Sequence, residues 1–109
     1  LTIDHSLVAE LVKSGGITEE EAKNHPQRNV LTRALGAAEP IEPEYREVPV
    51  IAGDRLLLCS DGLTVMLSDV EIAALLGAEP SPQVAADRLI AAANDRGGMD
   101  NISAIVVFI

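Results

Sequence analysis

The stretch Arg55-Leu56-Leu57-Leu58-Cys59-Ser60-Asp61-Gly62 passes from an apolar run to a carboxylate with no loop between them. A short apolar run bounded by turn residues reads as a buried strand. Here the strand covers Arg55 to Cys59. This restricts the chain to folds in which a sheet inside the core carries acidic side chains at its rim.

The rest of the chain supplies the partners of that strand. Leu1-Thr2-Ile3 reads as the end of a strand. A helix is predicted from about Ser6 to Ser14, with Leu7, Val8, Leu11 and Val12 as its apolar stripe and Gly15-Gly16 as its stop. Thr18 followed by Glu21 forms a capping-box pattern that opens a second short helix, ending near His25-Pro26. Asn29 to Leu35 reads as a strand and Gly36 to Pro43 as an exposed loop. Tyr45 to Val50 alternates weakly. With the turn Ala52-Gly53-Asp54 it predicts a hairpin onto Arg55–Cys59. Ser68 and Glu71 form another capping box, for a helix reaching about Leu76 and closed by Gly77. Ser81-Pro82 opens the next helix, with Leu89, Ile90 and Ala93 facing inward and Gly97-Gly98 ending it. Ile102 to Ile109 is an apolar strand. The order of elements predicts an α+β fold with mostly antiparallel strands.

In such a sheet, Asp61 follows the C-terminal end of one strand and Asp100 precedes the N-terminal end of the last. If those strands are antiparallel neighbours, about 4.8 Å apart, the two carboxylates share one rim. Their repulsion is relieved by a hard divalent cation, Mg²⁺ or Mn²⁺, which takes oxygen ligands. Gly62 and Gly97-Gly98 would let backbone and water come close. An Asp after a strand is also a common turn former, so on spacing alone a turn at Asp100-Asn101 stands beside the metal reading. Asp54 reads as structural, at the opposite end of its strand. Asp95 to Asn101 lacks the alternating oxygen ligands of a calcium loop.

Composition narrows the functions. A net charge of −9 argues against nucleic acid or an anionic membrane as partner. Cys59, the single cysteine, rules out a disulfide or a cysteine-rich zinc site within the chain, and reads as a small hydrophobe in a strand. No apolar run approaches the ~20 residues of a membrane span. With one Tyr, one Phe and no Trp, any core must be aliphatic. The chain opens at Leu1 without a methionine, which suggests a piece of something longer.

The segments LTIDHSLVAELVKSG, ITEEEAKNHPQRNVLTRALG, GDRLLLCSDGLTVMLSD and DRGGMDNISAIVVF span essentially all 109 residues in order. Together they resemble the second half of a PPM (protein phosphatase 2C type) metal-dependent protein serine/threonine phosphatase, in particular the bacterial branch that opposes Hanks-type kinases. The resemblance implies half of an αββα β-sandwich, with residues 1–109 as the C-terminal part of a catalytic domain. A flap-like segment would run from about Gly15 to Tyr45. It implies that Asp61 and Asp100 ligate one of two core Mn²⁺ or Mg²⁺ ions, and that Asp61 helps hold a third, weaker one. Asn101 and Gly62 would support the ligands. The attacking group would be a metal-activated water, so neither Cys59 nor Ser60 need be a nucleophile.

The implied substrates are phosphorylated proteins, a Hanks-type kinase among them, in the cytoplasm, with a membrane anchor elsewhere in the parent left open. The N-terminal half, which in the family supplies an Asp-Gly pair and a phosphate-gripping Arg, is absent. The chain alone is therefore expected to be inactive, and that half or a second copy should cover the open edges of the sheet. A non-catalytic half-domain or pseudophosphatase acting as a binding or interaction module is the alternative. Val65 stands where many relatives carry a polar or acidic residue. His5 reads as a helix-entry residue, His25 as a surface residue, Arg33 as a possible partner for a carboxylate, and Glu19-Glu20-Glu21 as an acidic first turn.

Overall fold

The computed structural model describes residues 1–37 and 40–109. Ala38 and Glu39, inside the loop expected from Gly36 to Pro43, lie outside the described residues. The chain divides into two compact units, Leu1–Arg46 and Glu47–Ile109.

The first unit holds helices α1 (Leu7–Lys13) and α2 (Glu19–Lys23). Ser6 caps α1 by accepting a hydrogen bond from the Ala9 amide, and its hydroxyl donates to Asp4. The helix closes as a Schellman turn. Gly15 takes φ +81°, and the Gly15 and Gly16 amides donate to the Val12 and Leu11 carbonyls. Thr18 caps α2 from the Glu21 amide. The strands expected at Leu1–Ile3 and Asn29–Leu35 do not form. An isolated antiparallel bridge, Ser6 to Leu31, instead joins the entry of α1 to the second segment, with the Leu7 amide donating to the Val30 carbonyl and the Thr32 amide to the His5 carbonyl.

The second unit holds β1 (Arg55–Cys59), α3 (Asp61–Thr64), α4 (Asp69–Ala78), α5 (Pro82–Asp95) and β2 (Ala104–Phe108). Its sheet is the antiparallel pair β1–β2, in register from Arg55↔Phe108 to Cys59↔Ala104. The expected hairpin from Tyr45–Val50 is absent. A strand exists only through its ladder, and the 51–54 turn delivers its hydrogen bonds to the end of β2 instead. The Gly53 amide donates to the Ile109 carbonyl at 3.0 Å, and the Ile109 amide to the Asp54 carbonyl at 2.9 Å. The Asp54 carboxylate accepts from the Ile51 amide, as its structural reading required.

Helices cover one face of this sheet. Leu63, Leu67, Leu89 and Ala93 form the buried cluster, with Leu57 and Val106, a register pair, packed against it from the sheet. Each buried leucine contributes about 1.5–3 kcal/mol. Ser68 and Glu71 cap α4 reciprocally, and α4 runs through Gly77 to Ala78, two residues past the expected stop. Ser81 caps α5 ahead of Pro82, as read from the sequence. Arg55 locks β1 to the end of α4: its Nη1 donates to the Leu76 and Glu79 carbonyls, and its guanidinium lies 4.0 Å from the centre of the Phe108 ring. On the other face Leu58 and Ile105, also a register pair, are 58% and 63% exposed.

Candidate metal centre

The pairing of β1 with β2 brings the C-terminal end of one and the N-terminal end of the other to a single rim. Cys59 faces Ala104, so Ser60 and Ser103 are the next opposed pair, and Asp61 and Asp100 follow just beyond. The antiparallel pairing of these two strands is the one the sequence suggested.

The local structure differs from the expectation in one respect. Asp61 does not hang from the end of a strand. It is the first residue of α3, a single helical turn that the sequence reading missed. Ser before Asp-Gly-Leu-Thr was the available signal, since serine is a favoured N-cap. Yet the Ser60 side chain makes no cap hydrogen bond. Its hydroxyl crosses to the other strand instead, donating to the Asn101 carbonyl at 3.1 Å and accepting from the Ser103 amide at 3.0 Å. Ser60 and Ser103 are thus the residues of this rim that sequence reasoning overlooked.

Gly62 follows at closest approach. A Cβ at this position would lie 2.2 Å from the Asn101 carbonyl oxygen. Only a residue without a side chain lets α3 begin this close to the 100–103 segment. On the facing segment, the Asp100 Oδ1 accepts from the Asn101 amide at 2.7 Å, which orients that carboxylate. The Asp61 carboxylate has no protein hydrogen-bond partner among the described residues, although its backbone carbonyl accepts from the Val65 amide and the Thr64 hydroxyl. Both Asp61 and Asp100 are exposed. Two hard, accessible oxygen donors suit Mg²⁺ or Mn²⁺.

The donor set is partial. Among the described residues no group of three or more His, Cys, Asp or Glu is gathered to hold a metal ion. Asp61 and Asp100 are two carboxylates at this rim and do not by themselves make a complete donor set.

The remaining candidates lie elsewhere. Cys59 is exposed at the end of β1 and not buried as expected, because the burial of β1 fades toward the rim; partial desolvation raises its thiol above the ordinary value. Val65 is exposed at the end of α3. In the first unit, His5 Nε2 lies 3.1 Å from a Glu44 carboxylate oxygen, and His25 Nδ1 accepts from the Gln27 amide. Arg33 donates to the Glu42 carbonyl, and among the described residues no carboxylate pairs with it.

Known proteins give this arrangement a context. No family model matches the chain. It is 50% identical over 107 residues to a putative protein phosphatase 2C-type of Streptococcus pyogenes, covering 98% of this chain and 44% of that protein. The serine/threonine phosphatase of S. agalactiae superposes with a TM-score of 0.93 at 49% identity, over 100% of this chain and 46% of that one. The catalytic domain of the serine threonine protein phosphatase PstP, solved in complex with two manganese ions, matches with a TM-score of 0.84 at 40% identity, over 97% of this chain and 43% of that one. The chain thus spans less than half the length of the relatives it matches.

Proposed function

The chain belongs to the PPM (PP2C-type) serine/threonine phosphatases, and we propose that it forms the C-terminal part of a catalytic domain that hydrolyses phosphoserine and phosphothreonine in proteins. The observation that supports this reading is the antiparallel β1–β2 register, which puts Asp61 and Asp100 at the same end of the pair.

In this reading the two carboxylates are ligands of a Mn²⁺ or Mg²⁺ ion in a centre of two core ions, with a third, weaker ion nearby. The bound metal supplies Lewis acidity, which lowers the pKa of water and offsets phosphate charge. The chain's own residues orient and hold. Asp61 is fixed by the first turn of α3, Asp100 by the Asn101 amide, and Gly62 allows their segments to approach. No side chain of this chain acts as a nucleophile.

Further ligands and a phosphate-binding group come from an N-terminal half, which also covers the exposed Leu58–Ile105 face. Alone, the 109-residue chain turns over little or nothing. Its substrates are cytoplasmic phosphoproteins, a Hanks-type kinase among them.

The test is Mn²⁺-dependent hydrolysis of an aryl phosphate and a phosphothreonine peptide by the full-length protein and by the isolated chain. Activity in the full-length protein, abolished by Asp61→Asn or Asp100→Asn, is the expected result. Undiminished activity in both variants overturns the reading.

A further inference from the structure

The strand-to-helix junction at Ser60 contains an exchange of acceptors. In an antiparallel ladder, opposed residues alternate between pairs that trade both backbone hydrogen bonds and pairs that trade none. The Ile109 amide donates to the Asp54 carbonyl, which makes Asp54–Ile109 a bonded pair. Counting by two along the register, Ser60–Ser103 is bonded as well. Half of that exchange is present: the Ser60 amide donates to the Ser103 carbonyl at 3.0 Å. The other half would need the Ser60 carbonyl, but that group accepts from the Leu63 amide and starts α3. The Ser60 hydroxyl takes its place as acceptor for the Ser103 amide, and donates its own hydrogen bond to the Asn101 carbonyl.

We propose that Ser60 is a positioning residue for the metal ligands: its hydroxyl completes the final rung of the β1–β2 ladder and so fixes the separation of Asp61 and Asp100. This rests on the metal reading above. The reasoning is geometric. Asp61 is the next residue after Ser60, and Asp100 is next to Asn101, whose carbonyl the hydroxyl holds. Without the hydroxyl, the Ser103 amide and the Asn101 carbonyl turn to water, and the 100–103 segment is free to move against α3. Two ligands on independently moving segments bind a cation more weakly than two on a fixed frame.

The test uses the ¹⁵N-labelled full-length protein and Mn²⁺, read as paramagnetic broadening of the amide signals of Asp61, Asp100 and Asn101. Ser60→Ala should weaken the apparent Mn²⁺ affinity about 10-fold, with the remaining β1 and β2 signals in place, and should speed solvent exchange of the Ser103 amide. Ser60→Thr and Ser60→Val are matched in shape and differ in the hydroxyl. Thr should retain affinity and Ser103 protection, and Val should lose both; this pair carries the test if the Ala variant unfolds. Equal affinities in the Thr and Val variants overturn the proposal. In the unsubstituted full-length protein, absence of broadening at these residues, or an apparent Mn²⁺ affinity unchanged by Asp61→Asn combined with Asp100→Asn, overturns the metal reading and this proposal with it. That control separates the two failures.

Discussion

The α-carbon of Gly62 faces the carbonyl of Asn101 so closely that an added methyl carbon would sit 2.2 Å from the oxygen. The obstacle is backbone, which cannot rotate aside as a side chain could. Gly62→Ala should therefore force α3 away from the 100–103 segment, at a cost of about 3 kcal/mol. Urea denaturation of the variant measures the loss. A change below about 0.5 kcal/mol, the range of ordinary surface substitutions, would show that the approach is not needed.

Arg55 ties the first residue of β1 to the carbonyls that end α4, and stacks over Phe108. Arg55→Met keeps a similar volume but leaves both carbonyls without this donor. The expected loss is about 3 kcal/mol, the scale of charge-assisted hydrogen bonds with a cation–π contact added. Arg55→Lys should recover only part, because an ammonium cannot lie flat on the ring. Thermal unfolding of the two variants side by side tests this ordering.

The Glu71 carboxyl is held below the ordinary carboxylate value, chiefly by the Ser68 amide, then by the Ser68 hydroxyl, with Arg96 adding to the effect. The folded form thus gives up this proton more readily than the unfolded chain. Its contribution to stability is complete above the ordinary glutamate range and is lost as pH falls through the lowered folded value. The stability gap between the protein and Glu71→Gln should accordingly be widest at neutral pH and close in acid. Denaturation across a pH series reads it directly, and a gap that is constant with pH would refute the assignment.

How far these features could be read in advance depended on how local their causes are. The caps at Ser6, Thr18, Ser68 and Ser81 were legible because a cap involves residues within one turn. The shared rim of Asp61 and Asp100 was legible because two apolar strands leave few ways to pair. The strand at Tyr45–Val50 was misread because alternation describes a candidate, whereas a strand is made by a partner, and β1 takes Ala104–Phe108. Helix α3 was missed for the complementary reason. Its serine cap spends its hydroxyl across the sheet, on residues more than forty positions away.

Leu89 is fully buried at the centre of the aliphatic cluster. Leu89→Ala should cost about 3 kcal/mol through lost burial and the cavity left behind. Val84→Ala, on an exposed position of the same helix, should change little. Comparable effects from both would contradict this account of the core.

If Asp61 and Asp100 share a cation, Mn²⁺ should raise the melting temperature of the chain and EDTA should reverse the rise, since a ligand of the folded form stabilises by mass action. Asp100→Asn should blunt the response. An equal rise in the variant would place the binding elsewhere.

The passage from β1 to α3 takes place at one residue, Ser60, which serves the ladder with its amide and hydroxyl and the helix with its carbonyl. Such a joint has no slack. One residue inserted between Leu57 and Ser60 would turn Leu57 outward or carry Asp61 around the helix axis by about a quarter turn or more. Chain length between the core and the rim is therefore as tightly constrained as residue identity, and an insertion or deletion in this segment should do more harm than any single replacement within it.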